Sequence, residues 1–226
     1  MSLLDTFFNW QVLLDSLPLL RTGLWVTVQL GAVAIGVGLS LGLLIAVLRL
    51  YAWAPVRAVA GVYIDLFRSV PLLVLLIVVY YALPFVGLRL SSFASAVCAL
   101  GLVSAAYFAE IFRAGIQAIP KGQVEAAQAL GLGFPRTMTD VVLPQAVRIV
   151  IPPLTGNCIN VIKDTALASV VAMPDLLKQA TQAQALAANP TPLIAAALIY
   201  LAFLWPLVLL VGRLERRLGR RRGVAR

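Results

Sequence analysis

Between Arg21 and Arg49 the chain runs for 27 residues without a charged side chain. A helix needs about 20 apolar residues to cross the hydrocarbon core of a bilayer, where backbone amides find no water. This stretch therefore predicts a membrane span over about Thr22–Leu48. Gly31, Gly36, Gly38 and Gly42 recur along it and permit close helix contact in lipid. The rest of the 226-residue chain agrees: 62% of residues are hydrophobic, 12% are charged, and mean hydropathy is +0.97. A soluble domain runs nearer half apolar and a quarter charged. One integral membrane domain of about four to six spans fits the length.

Four further spans are expected, over about Ala58–Leu83, Ser92–Ile119, Val142–Lys163 and Leu193–Val211. The fourth is broken by Pro144, Pro152, Pro153 and Gly156, carries Asn157, Asn160, Lys163 and Asp164, and leads into a short non-spanning helix near Ala166–Val171. Such a segment belongs where protein or a water-filled cavity surrounds it. Residues 1–21 read as an external interfacial segment with aromatics at Phe7, Phe8 and Trp10. They do not read as a cleaved signal, since no Lys or Arg precedes Arg21 and Asp5 and Asp15 stand in the leading region.

The net charge of +9 is concentrated, with seven of 18 basic residues in Arg213–Arg226. In a chain this apolar, that tail fits a cytoplasmic membrane surface and not a nucleic acid. Arg49, Arg57, Lys121, Arg136 and Arg148 fall in loops on the tail's side, against Arg21, Arg89 and Lys178 opposite. The positive-inside rule puts the N-terminus outside and the C-terminus inside, a parity that five spans satisfy.

The chain contains no histidine, and Gly122, Asp164 and Gln179 follow its three lysines. Neither a Gly-Lys-Ser/Thr phosphate loop nor a histidine-based catalytic or metal site can be built. The reading is of no catalytic residue and no cofactor in this chain. Cys98 and Cys158 lie in apolar runs and read as buried small side chains.

After Pro120, "KGQVEAAQALGLGF" predicts a helix of about three turns that stops at Gly131 or Gly133. That is too short to span. Lodged between two spans, it can transmit a push to both. Its spacing carries a resemblance. Glu125-Ala126-Ala127, then Gly131, then Leu143-Pro144 is similar to the EAA signature of membrane subunits of ABC importers. "YIDLFRSVPLLVLL" from Tyr63, "YFAEIFRAGIQAIPKGQVEAAQALGL" from Tyr107, "LPQAVRIVIPPLTGNCINVIKDTALASVV" from Leu143 and "RLERRL" from Arg213 resemble the polar amino acid permease branch of that family. The chain departs from that branch at Ser69-Val70, Leu75, Ser104-Ala105 and Cys158.

The resemblance implies an all-α integral membrane fold of five transmembrane helices plus a cytoplasmic coupling helix, the type I ABC importer permease fold, in a bacterial cytoplasmic membrane. It implies that Glu125, Ala126, Ala127, Gly131, Leu143 and Pro144 form the coupling segment, with Pro144 starting the next span. Partners implied are an ABC ATPase dimer carrying ATP and magnesium, a second identical or homologous permease subunit, an extracytoplasmic amino-acid-binding protein and membrane lipid. An ion-gradient-driven secondary transporter is the alternative, although no inverted repeat is evident.

Six charges fall within the expected spans: Asp65, Arg68, Glu110, Arg113, Lys163 and Asp164. Asp65–Arg68 and Glu110–Arg113 are spaced i,i+3, so each pair can neutralise itself on one helix face. Lys163 and Asp164 are adjacent and point apart. Asp164, Lys163, Glu110, Arg113, Arg68 and Asn157 are the candidate residues of a substrate pathway, where an amino acid presents one carboxylate and one ammonium.

Overall fold

Asn9 begins the first helix. Its Oδ1 accepts from the Val12 N–H at 3.1 Å, which caps the helix, and its own N–H donates to Thr191 Oγ1 at 3.0 Å. The computed structural model describes residues 6–220. Met1–Asp5 of the expected external segment and Arg221–Arg226 of the basic tail lie outside the described residues.

The helices are α1 (Trp10–Tyr51), α2 (Ala54–Ser69), α3 (Leu72–Ile77), α4 (Ser92–Gln117), α5 (Lys121–Ala129), α6 (Leu143–Asp164), α7 (Leu176–Ala187) and α8 (Thr191–Arg220). Wider π turns follow α3 at Val78–Ala82 and precede α6 at Thr137–Val142. A 3-10 segment over Thr165–Val171 follows α6, where the sequence predicts a short helix. Among the described residues, Trp10–Tyr51, Ser92–Gln117 and Thr191–Leu214 are long and apolar enough to cross a membrane, and the α2–α3 pair supplies a fourth. Helix α6 has 22 residues, about 33 Å, and is the polar span that the sequence predicts.

Residues 10–21 are helical and continuous with α1, where Leu13, Leu20 and Leu24 pack with Leu176, Ala180 and Ala195. The second span is not one rod. Pro71 offers no N–H and disfavours a helical Val70, so α2 ends at Ser69 and the following helical stretch, Leu72–Val86, departs at 100°.

Contacts sort the chain into two units. The first takes residues up to Val37, Val70–Leu102 and Ile159–Leu207. Here Gly31 faces Ile162 and Thr165, and Gly23 lies against Asp175 and Leu176, so α1 packs closely on both segments. Thr27 Oγ1 accepts from the Leu176 N–H at 3.0 Å. Asp175, fully buried, caps α7 by accepting from the Leu177 and Lys178 amides at 3.3 and 3.2 Å. Sequence reading missed α7, although Pro174-Asp175 before "LLKQA" is a helix-start signal. Its 12 residues reach about 18 Å, too short to cross the bilayer.

Burial pushes the Asp175 carboxyl up to about 6, against the two amides and the Lys178 charge. Its folded value exceeds its unfolded value, so the folded state holds a proton that the unfolded state releases. Stability therefore falls as pH rises from the ordinary carboxylate range to about 6, by at most about 3 kcal/mol. The expected result is a higher melting temperature at pH 5 than at pH 7 in detergent, with that difference reduced in Asp175→Asn, which keeps a capping oxygen. An equal pH response in the variant would remove Asp175 as its source.

The second unit takes Gly38–Ser69, Val103–Cys158 and the chain from Val208. Gly42 sits against Phe108, Ala105 and Ala109, and Gly38 against Ser104, which brings α1 onto α4. Ala46, Ile64 and Ala109 form a core joining α1, α2 and α4. At the α1–α2 turn the Arg49 guanidinium donates to the Arg57 carbonyl at 2.9 Å and lies over Gly61. Cys98 and Cys158 are free thiols, each half-buried and not fully enclosed.

Candidate functional site

Helix α5 is fixed at its base and open on its outer face. Ile119, Val142 and Ala146 form a buried cluster with Ile116, Val124, Met138 and Ile149 packed on it. Val124 is thus the anchor of α5, and Ala127 is buried beside it. Glu125 and Ala126 are exposed. A groove of about 600 Å³ lined by Gln117, Ile119, Lys121, Val124 and Glu125 opens at its start.

The helix ends on Gly131. Leu132 N–H donates to Ala127 C=O at 3.1 Å and Gly131 N–H to Gln128 C=O at 2.9 Å, the two bonds of a Schellman cap. Gly131 takes φ +79°, the left-handed region that glycine enters without a Cβ penalty. Leu130 is 82% exposed and Phe134 61% exposed, on either side of that turn. Sequence reading missed both. A large apolar side chain bracketing a turn glycine outside the spans was the available signal.

The Phe134 ring meets Tyr51 edge-on at 5.7 Å, and Tyr51 Oη lies 3.7 Å from Met138 Sδ. The end of α1 therefore holds the segment that follows the turn. Leu143 and Pro144 are exposed. Pro144 is the second residue of α6, and helical backbone reaches back from it to Phe134: because Pro144 supplies no N–H for the Asp140 carbonyl, the path widens into the Thr137–Val142 π turn just before it.

The candidate pathway residues divide between the units. In the second, Arg113 binds Glu110 through two contacts, Nε to Oε2 at 2.8 Å and Nη2 to Oε1 at 2.5 Å, and also donates to Gln117. That predicted i,i+3 pair forms. The other does not: among the described residues Asp65 and Arg68 make no ion pair, and the Arg68 guanidinium lies 5.4 Å over the Tyr107 ring. The cation–π contact competes for the guanidinium. Asn157 is half-buried, with its amide nitrogen enclosed and without a hydrogen-bond partner. In the first unit Lys163 is exposed and Asp164 half-buried at the junction of α6 with the 3-10 segment, neither in an ion pair among the described residues.

A family model described as "Binding-protein-dependent transport system inner membrane component" matches residues 38–220, which include the α5 segment and its Gly131 turn. The chain belongs to this family. The permease is similar to the L-cystine transport system permease protein TcyB of Bacillus subtilis, 38% identical over 220 residues, 96% of this chain and 94% of that one. It is 36% identical over 212 residues to the arginine transport system permease protein ArtQ of the same organism, covering 93% and 97%. Among solved structures, an amino acid ABC transporter with histidines matches at TM-score 0.88 and 35% identity, covering 96% of the permease and 100% of that chain. The MetNI methionine ABC transporter shares the fold at TM-score 0.75 and 22% identity. The permease thus has the all-α, type I ABC importer fold and is a multi-pass membrane protein.

Proposed function

We propose that this permease carries polar amino acids into the cell as the membrane subunit of an ATP-driven importer. The observation that carries the reading is the α5 segment: a short helix anchored by Val124, ended by Gly131 and open at Glu125, Ala126, Leu130 and Phe134. A face that is apolar yet lies outside the spans suits a protein partner. Its relatives are named as amino-acid permeases, which supports the substrate class. The match over residues 38–220 gives no support to an ion-gradient-driven carrier.

The partner set is a second identical or homologous permease, an ABC ATPase dimer holding ATP and magnesium, an extracytoplasmic amino-acid-binding protein and membrane lipid. ATP hydrolysis belongs to the ATPase. The α5 segment docks on it, and its displacement moves α4 and α6 through the Ile119–Val142–Ala146 cluster. The basic loops support a cytoplasmic α5 and C-terminus with the N-terminus outside.

The test is uptake by the assembled complex in liposomes. Amino-acid uptake should require enclosed ATP and the binding protein and should survive collapse of ion gradients. A cysteine at Thr139, in a Cys98→Ala, Cys158→Ala background, should react with an impermeant thiol reagent only from the ATP side. Uptake that follows an ion gradient without ATP would overturn the reading.

A further inference from the structure

Asp65 and Arg68 carry opposite charges at an i,i+3 spacing that permits an ion pair, and they do not form one. Both are exposed on α2. Counted from Ala54 at the start of α2, they stand about 17 and 21 Å along the axis. A hydrocarbon core is about 30 Å thick, so an α2 that enters the bilayer from its basic Arg49–Arg57 turn carries both to membrane depth. Helix α4 gives the same register: Ala109, which packs with Ile64, is about 12 Å from the end of α4 at Gln117. Charged side chains at that depth do not face lipid. They face water or protein.

The surroundings say which charges are already satisfied. Glu110 is held by Arg113 through two hydrogen bonds, so that carboxylate is occupied. The Arg68 guanidinium lies 5.4 Å over the Tyr107 ring and makes no ion pair with Asp65 or Glu110 among the described residues. Cation–π contact fixes the guanidinium while leaving its N–H groups free to donate at the ring's edge. What remains is a fixed cation, a carboxylate one helical turn below it on the same face, and a gap that neither closes.

We propose that Asp65 and Arg68 form a binding site for the zwitterionic head of an amino acid, the ammonium on Asp65 and the carboxylate on Arg68, with Tyr107 as the platform that holds the arginine open. The site rests on the amino-acid reading above and adds Asp65 and Tyr107 to it. It recognises what all amino acids share and leaves the side chain to be read elsewhere. Both head charges are needed: a ligand that lacks its carboxylate leaves Arg68 uncompensated, and one that lacks its ammonium leaves Asp65 so.

The experiment uses the assembled complex in liposomes, with arginine and cystine as probes and their decarboxylated amines as controls. Asp65→Asn should raise the KM for the carried amino acid by about tenfold or more, the loss of one charge-assisted contact, with assembled mass and melting temperature unchanged. Asp65→Glu should restore most of it, and the amines should not compete. If wild type carries neither probe nor glutamine nor glutamate, the amino-acid reading itself fails. If wild type carries one and Asp65→Asn matches it, the site alone is overturned. If Asp65→Asn dissociates the complex and the charge swap Asp65→Arg with Arg68→Asp restores assembly, the pair joins two permease copies and the proposal is likewise overturned.

Discussion

Gly131→Val leaves a permease that inserts and assembles but no longer couples. Binding-protein-stimulated ATPase activity and uptake both fall by about tenfold or more, because the left-handed backbone at φ +79° costs an L-residue roughly 1–2 kcal/mol and a β-branched one more. The cause is conformational and not steric, since a Cβ at Gly131 meets nothing within 4 Å. Losing the turn undoes the bonds from Leu132 and Gly131 to Ala127 and Gln128 and moves the exposed Leu130 and Phe134 that flank it. Gly131→Asn, which tolerates the left-handed region, should retain most coupling. A Gly131→Val complex with normal stimulated ATPase activity would remove this turn from the coupling path.

Gly42→Ala acts on a different link, the packing of the membrane core. An added Cβ would stand 2.7 Å from Phe108 Cβ and 2.9 Å from the Ala105 carbonyl oxygen. Neither neighbour is the end of a flexible side chain, so α1 and α4 must part. The expected destabilisation is about 1–3 kcal/mol, the range for overpacking a filled core. It outweighs the gain in helix propensity, about 1 kcal/mol for glycine to alanine. Gly36→Ala supplies the control. It carries the same propensity gain, and its Cβ meets nothing within 4 Å. Thermal unfolding of the two purified variants should move in opposite directions, Gly42→Ala down and Gly36→Ala level or up. Equal melting temperatures would show that the α1–α4 contact yields without cost.

The sequence by itself determined the membrane class, the polar character of the fourth span and the coupling helix. Each rests on a local rule. A charge-free run of span length has one solution in lipid, Pro120 and Gly131 punctuate a short helix, and prolines with Asn157, Asp164 and Lys163 exclude a lipid-facing rod. The glycines of α1 were legible as contact points, and Gly31, Gly38 and Gly42 are contacts while Gly36 is not. Periodicity could not tell them apart, because what faces each one comes from α4 or α6, far along the chain.

The tertiary structure decided the rest. Whether an i,i+3 pair closes depends on what else competes for the guanidinium, and Tyr107, 39 positions from Arg68, competes for one pair while nothing comparable disturbs Glu110–Arg113. Helical backbone extends back from α6 to Phe134, because a helix can absorb the N–H missing at Pro144 by widening into a π turn. The burial of Asp175, which lifts its carboxyl to about 6, follows from a 149-residue separation between Thr27 and Leu176 closed by one hydrogen bond. Local spacing fixes which residues can meet within a helix. Only the packing of distant helices fixes which side chains compete for the same charge.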